Sequence, residues 1–433
     1  MLIELSVGAL LLVFAYFILQ NLVGSSTTET IHVDGEVDKD FEHVRDVFRS
    51  NFFKDWEPCG AALAVFYKGK LVVDLWGGYA DKEAERKWSK DTLNVTFSST
   101  KAVSALCIAK LVDEGRLDYN DTVTKYWPKF GKNGKEDITV QSVISHTAGL
   151  PYFEKEISYE DALNGHEKIR EIIEEEQPKW TPGSHIGYHP LTYGWLVDQL
   201  VRHADSRGRS LGQFYREEIR DKLEDIDYHL GLPRSEFHRV SRLQLPDRWQ
   251  RLKEFLHNPH AVYYWHYTKD FWNNGLLALT NAHIPWMQFI FKMNFNNPDL
   301  WVLEQGAVLG IGTARALATL FQKAVMEDGL LKQKTRERFL TPCKDGEDIV
   351  TGANVLRGNG LMFSKFEVDG KKYEYAGHAG VGGQNIKLDL NHDLCFAYVS
   401  NGFKAGFGDT ARTFVALRDA IYRSVARIES SQE

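Results

Sequence analysis

The 433-residue chain carries 52 Lys and Arg against 59 Asp and Glu, a formal net charge of −7, and has no dense basic run, which argues against a nucleic-acid partner. Apolar residues at 43% and aromatics at 12% suffice for a large core, and the length suits one α/β folding unit with a subdomain. Cys59, Cys107, Cys343 and Cys395 stand far apart without metal-ligand or redox spacing, so burial is expected of them, and no metal or other cofactor is indicated.

Residues 5–19 are almost unbroken apolar sequence, and with Leu22 and Val23 the run reaches about nineteen residues, enough for the roughly 30 Å hydrocarbon core. A cleaved signal peptide would want a basic start, yet the first Lys is Lys39 and the first Arg is Arg45. The expectation is therefore an uncleaved N-terminal anchor at 1–24, single-pass through residues 5–23, then a polar stalk at 25–40 and one domain over 41–433. Charged flanks are too scarce for the positive-inside rule to fix the topology, which leaves the side open with the lumenal or extracellular side favoured.

Phe41 to Phe53 has helical periodicity, and the apolar runs Ala61–Tyr67 and Leu71–Trp76 flank Lys68-Gly69-Lys70 as the strands of a hairpin. Leu93 to Phe97 reads as a short β-rich approach to a helix over Ala102–Glu114, stopped by Gly115. At that helix start stands Ser98-Ser99-Thr100-Lys101. Three residues of helix bring an amine round to the face of a serine hydroxyl, which outlines an activated nucleophile; the same tetrapeptide also fits a plain helix cap.

Glu167 to Glu176 reads as a solvated helix face. In Trp180 to Pro190 a Pro-Gly turn leads to Tyr188, followed by an amphipathic helix over Leu191–Val201. Between Leu230 and Pro298, as in the stretch 260–266, aromatic and histidine density is high, and packing within an insertion is the expected use. Near the C-terminus, Tyr375 to Gly383 contains His378-Ala379-Gly380-Val381 between strand-like runs. Ile386 to Leu390 alternates, Cys395–Ser400 reads as a strand, and Asp409–Arg427 reads as a helix. Strands at both ends with helices at about 105–310 imply an antiparallel sheet closed by the two termini around a helical middle.

The order Ser98/Lys101, then Tyr188, then His378/Gly380 resembles the three boxes of the serine β-lactamase-related family of class C β-lactamases, DD-peptidases, esterases and animal β-lactamase-domain proteins. Ile144 to Pro151 is similar to the family's "SHTSGLP" segment, and Ile311 to Ala318 to its Arg-x-Leu-Ala helix start. The resemblance spans about 41–427. It implies an α+β, β-lactamase/transpeptidase-like fold, Ser98 as nucleophile with Lys101 and Tyr188 as its acid–base partners, and an oxyanion site from the amides of Ser98 and Val381 beside Gly380. Lys101 as a base needs a lowered pKa, whereas a protonated Lys101 would hold Tyr188 as phenolate, and the sequence leaves both open.

Two departures bear on substrate. Pro190 stands where lactamases carry Asn or Ser, and His378 replaces a lysine that pairs with the β-lactam carboxylate. Both weaken an antibiotic reading, so the expected activity is that of a membrane-anchored serine hydrolase acting on a small ester, amide or peptide; the rival is a non-catalytic scaffold on the same fold. His146 is expected as a structural histidine and His189 as a pocket-lining one. Of two sequons, Asn94 is expected to stay unmodified in its strand, and Asn120 lies in a polar turn.

Overall fold

The computed structural model describes residues 31–257, 269–288, 292–326, 329–404 and 408–431. Its strands in chain order are β1 (Val33–Val37), β2 (Gly60–Tyr67), β3 (Lys70–Asp81), β4 (Arg86–Lys87), β5 (Asn94–Val95), β6 (Tyr228–Leu230), β7 (Gly310–Gly312), β8 (Pro342–Asp348), β9 (Ala353–Gly358), β10 (Met362–Val368), β11 (Lys371–Ala379), β12 (Asn385–Asp389) and β13 (Leu394–Ser400). The main sheet runs β1-β3-β2-β13-β12-β11-β10-β9-β8, with β4 added to β3, and its pairs are antiparallel. The N- and C-terminal segments meet at β2 and β13, where Ala64 faces Ala397. A second sheet, β5-β7-β6, lies in the middle of the chain.

The expected hairpin forms between β2 and β3 through Lys68 (φ +49°) and Gly69 (φ +74°), a two-residue turn whose positive φ values match the twist of the strands. Both faces of β13 are covered, which explains why it is buried throughout. Alternate residues point to opposite faces. Phe396 and Tyr398 pack on Phe414 of the C-terminal helix Arg412–Ser430, while Cys395 reaches the carbonyl of Ala318 in the helix Ala314–Phe321.

The N-terminal helix Glu42–Phe53 buries Val44, Phe48 and Phe52, four apart on one face, where it packs on the Arg412–Ser430 helix. Each such side chain contributes about 1.5–3 kcal/mol. Phe48→Ala would cost about 3–5 kcal/mol through the cavity it leaves.

Three expectations change here. Among the described residues no helix is long and apolar enough to cross a membrane, which overturns the single-pass localisation. The 19-residue helix Arg412–Ser430 has the length but carries Arg418, Asp419, Arg423 and Arg427. Residues 5–23, on which that expectation rested, lie outside the described residues, as does the stretch 260–266.

Within the expected stalk, residues 33–37 form β1, an edge strand registered on Val73–Gly77. Its alternation of half-buried and exposed residues is what an edge strand shows and a polar linker hides. The acidic helix, His166–Glu175, exposes Glu167, Glu171 and Glu175 but buries Glu174 and Glu176. There Trp127 Nε1 donates to Glu174 at 2.7 Å and Lys179 pairs with Glu176 at 2.8 Å.

The four cysteines are free thiols, with Cys59, Cys107 and Cys395 buried. Asn94 is buried and donates to Val95, Gln384 and Ser400, so its amide is built into the fold, whereas Asn120 is exposed.

Candidate active site

The helix Thr100–Asp113 is buried on nearly every side, as expected of a helix at the centre of a core rather than on its surface. Its start is fixed from both sheets. Thr96 donates its hydroxyl to the carbonyl of Gly310 at 3.0 Å, Gly310 N donates to Thr100 Oγ1 at 2.8 Å, and Ser99 Oγ donates to the carbonyl of His378 at 3.2 Å.

Phe97 adopts φ +44°, a left-handed conformation costly for a bulky residue, and its ring is wedged against Phe295 and Phe403. That turn delivers Ser98 at the helix entrance, 8% exposed.

Lys101 and Tyr188 both meet Ser98. Lys101 Nζ lies 3.4 Å from Ser98 Oγ and donates to the carbonyls of Pro190 at 2.8 Å and Ala307 at 3.0 Å. Tyr188 OH lies 2.8 Å from the same Oγ. Lys101 is fully buried, and burial, then the nearby Arg357 guanidinium, hold its pKa well below the ordinary lysine value. Burial pushes the Tyr188 phenol up to about 12. Burial thus works against the charged form of both groups. Lys101 Nζ has three oxygens in reach, Ser98 Oγ and the two carbonyls.

Tyr188 is held by two loops zipped together. Gly187 N donates to the carbonyl of His146 at 2.9 Å, His189 N donates to His146 Nδ1 at 3.1 Å, and Leu150 N donates to His189 Nε2 at 3.0 Å. His189 Nε2 accepts, so its Nδ1 carries the proton and donates to the Gly187 carbonyl at 2.6 Å. Burial holds the His146 imidazole well below its usual value and brings His189 down to about 4. His146 is structural, as expected. His189 is not pocket-lining: it is fully buried, with both ring nitrogens bonded to the loops.

β11 ends at Ala379, and Gly380 continues it past the nucleophile. A Cβ on Gly380 would stand 2.7 Å from the Thr96 carbonyl oxygen and 3.2 Å from Ser98 N, so glycine is what lets this backbone lie against the helix start. Val381 is past the strand, opening the short turn Val381–Gly383. The N–H groups of Ser98 and Val381 both belong to first turns, where helical donors have no partner within the turn.

His378 is 2% exposed; its Nδ1 is 2.8 Å from the Ala379 carbonyl, and burial, then Lys101, hold it well below the usual histidine value. Facing that carbonyl, neutral His378 carries its proton on Nδ1.

Several residues at the site left no local signal in the sequence. Asp348 accepts the backbone N–H of Tyr188 at 3.0 Å and pairs with Arg357 at 2.8 Å. Beneath the Val381–Gly383 turn, Lys404 pairs with Glu57 at 2.9 Å and donates to Ser400 Oγ at 2.6 Å and the Gly402 carbonyl at 2.8 Å. Tyr398 also donates to Glu57. Burial raises the Glu57 pKa and Lys404 opposes the rise. Asp348 reaches Tyr188 across 160 residues of chain, and Glu57 reaches Tyr398 across 341, separations that no spacing rule connects.

The Beta-lactamase family model matches residues 48–420. An esterase/beta-lactamase, LipL, of Mycobacterium tuberculosis is 36% identical over 79% of this chain and 77% of its own length. The crystal structure of a family VIII carboxylesterase superposes with a TM-score of 0.78 at 29% identity, covering 91% of this chain and all of that one. A penicillin-binding protein homologue from Caulobacter crescentus gives 0.74 at 31% identity, again over 91% of this chain and all of the other. With the nucleophile, lysine, tyrosine and glycine-edge boxes gathered on this fold, the chain belongs to the beta-lactamase family of serine hydrolases.

Proposed function

We propose that the chain hydrolyses a small ester or amide through an acyl-enzyme on Ser98. The observation that carries this reading is the convergence of the Lys101 amine and the Tyr188 hydroxyl on Ser98 Oγ, 3.4 and 2.8 Å away. Lys101 takes the Ser98 proton as Oγ attacks the substrate carbonyl carbon. A positioned base of this kind is worth about 10²–10⁴-fold in rate.

The developing oxyanion lies against the N–H groups of Ser98 and Val381, with Gly380 keeping the strand edge close. Tyr188, on the other side of Oγ, passes a proton to the leaving group and takes the Lys101 proton in exchange. Deacylation runs the same path in reverse, with water in place of the leaving group. Among the described residues the Lys101 amine has no carboxylate hydrogen-bond partner, and its carbonyl partners satisfy a neutral amine without charging it.

The substrate side follows from what the site lacks. Pro190 has no side-chain donor, and its carbonyl is occupied by Lys101. A neutral, buried His378 gives a substrate carboxylate no positive charge to pair with. An ester or amide without that carboxylate suits the site better than a β-lactam, and relatives described as esterase and carboxylesterase support the choice. We place the catalytic domain over 41–433 as expected from the sequence, with β1 added at its N-terminal edge.

The test is labelling by a fluorophosphonate probe with turnover of p-nitrophenyl acetate and butyrate. Wild type should label and turn over, and Ser98→Ala should do neither while keeping its circular dichroism spectrum. Turnover by Ser98→Ala would remove Ser98 as nucleophile. A folded wild type that neither labels nor turns over any acyl ester would favour the scaffold role.

A further inference from the structure

Beside Tyr188 lies a buried charge pair that the reaction as described does not use. Asp348 and Arg357 are 2.8 Å apart with side chains 0% and 4% exposed. Asp348 is oversubscribed. Its Oδ1 accepts from the backbone amides of Tyr188 at 3.0 Å, Val350 at 3.1 Å and Thr351 at 3.1 Å, and its Oδ2 accepts from Arg357 at 2.8 Å. Arg357 is under-served: its buried Nε has no hydrogen-bond partner among the described residues. The carboxylate's charge is drawn off toward three amides, and the guanidinium is left only partly compensated.

The Tyr188 ring is within reach of both this cation and the Lys101 amine. Arg357 Cζ is 5.3 Å from the ring centroid and Lys101 Nζ is 4.9 Å from it. Two full positive charges this close in a dry site are unfavourable, and the guanidinium cannot give up its proton. The other titratable groups around Lys101 come from the tyrosine box and its helix (Tyr188, His189, Tyr193), from the loop carrying His146 and from β11 (His378). All five are held neutral by burial. Arg357, with its partner Asp348, is the permanent charge of this group.

We propose that Arg357 is a positioning residue, anchored by Asp348 against the Tyr188 ring, whose charge adds to burial in disfavouring the protonated Lys101 amine and so helps set the pH at which Ser98 becomes reactive. Asp348 both fixes the Tyr188 backbone and limits how much of the guanidinium charge the site feels. This rests on the reading of Ser98 and Lys101 given above.

The pair makes opposite predictions for its two members. Since kcat/KM on p-nitrophenyl acetate rises with pH as Lys101 loses its proton, the acidic limb of the profile reports that proton. Removing the positive charge raises the amine's affinity for a proton, so Arg357→Met moves the limb to higher pH. Asp348→Asn leaves the guanidinium uncompensated, and the limb moves to lower pH or stays.

Arg357→Met alone strands a buried carboxylate and risks misfolding, so the deciding comparison is the neutral double variant D348N/R357M against D348N. The limb should lie about one pH unit higher in the double variant, the order expected of one unit charge at this range in an effective dielectric of about 20. Arg357→Lys keeps the charge and should keep the limb near its wild-type position even where the plateau falls.

A purely structural pair would lower the plateau in every variant with the limb unmoved. Equal limbs in D348N/R357M and D348N would overturn the proposal. Ser98→Ala is the separate control: turnover there sinks the underlying reading, whereas an unmoved limb with an inactive Ser98→Ala sinks only the role of Arg357.

Discussion

Lys101 and Lys404 are both buried lysines beside the same site, and they are treated in opposite ways. Lys404 sits under the Val381–Gly383 turn with the Glu57 carboxylate 2.9 Å away and further acceptors in Ser400 and Gly402. Lys101 meets two backbone carbonyls, the Ser98 hydroxyl and, also near the Tyr188 ring, another cation. A buried charge persists only when a counter-charge offsets its desolvation; without one the group gives up its proton instead. Lys404 is thus tied to a counter-charge, whereas Lys101 is buried without one and costs stability to hold. On the proposed reading the same side chain serves as a brace or as a base according to its partner.

Replacing each lysine with the apolar, near-isosteric methionine breaks this comparison most directly. Lys101→Met should lower kcat/KM on an acyl ester by about 10³–10⁴-fold, roughly 4–5 kcal/mol of transition-state stabilisation. The variant should nevertheless melt at or above the wild-type temperature at pH 7, because a desolvated amine is exchanged for a thioether. The sign with pH is defined: the folded-state pKa of Lys101 lies below its unfolded value, so the unfolded chain binds the extra proton between the two, and wild-type stability rises as pH climbs toward about 10. The advantage of Lys101→Met, followed by thermal melts, should shrink over that climb. Tyr188→Phe should combine with it non-additively, since the two serve one proton path.

Lys404→Met should do the reverse. It strands Glu57 in the core and should cost about 3 kcal/mol of unfolding free energy in urea titrations, and Glu57→Gln in the same chain should recover most of the loss. If Lys101→Met proved as destabilising as Lys404→Met, Lys101 would be charged and paired in a way these contacts do not provide.

A smaller effect separates the loops behind Tyr188 from both lysines. Burial holds His189 at about 4 against an ordinary value near 6.5, so acidification across that window charges the unfolded chain first. The folded state should lose roughly 2.5 kcal/mol between pH 6.5 and 4 through this group, and His189→Gln should flatten that slope in pH-dependent melts. Smallest of all, Pro190→Asn should raise the rate on nitrocefin by less than about tenfold relative to the acyl ester, the order expected of one restored hydrogen bond. A wild type that already prefers nitrocefin would contradict the substrate assignment.

Much of this molecule was legible in the chain itself. The hairpin at Lys68–Lys70, the strands around Ala61–Tyr67 and Cys395–Ser400, and the helix after Ser98 follow from local periodicity and turn chemistry, which act over a few residues. Ser98, Lys101, Tyr188, His378 and Gly380 were visible because each sits in a short motif tied to a defined piece of backbone. Val381, read only as lying between strand-like runs, opens the turn after β11, since a boundary depends on where pairing with β12 stops at Asn385. β8 and β9 went unseen because strands toward the far edge of the sheet carry polar or half-exposed residues with little apolar alternation, and β10 shows alternation only over its last four residues, Lys365 to Val368.

What only the tertiary structure decided is the environment of each group. Whether Lys101 or Tyr188 is the base depends on burial, on two carbonyls from Pro190 and Ala307, and on the Arg357 charge, all set by segments far apart in sequence. Asp348 and Arg357 reach Tyr188, and Glu57 reaches Lys404, from distant parts of the chain, so no motif marks them. Sequence names the functional groups that local geometry pairs, but protonation is set by desolvation and by charges through space, and those exist only once the chain has folded.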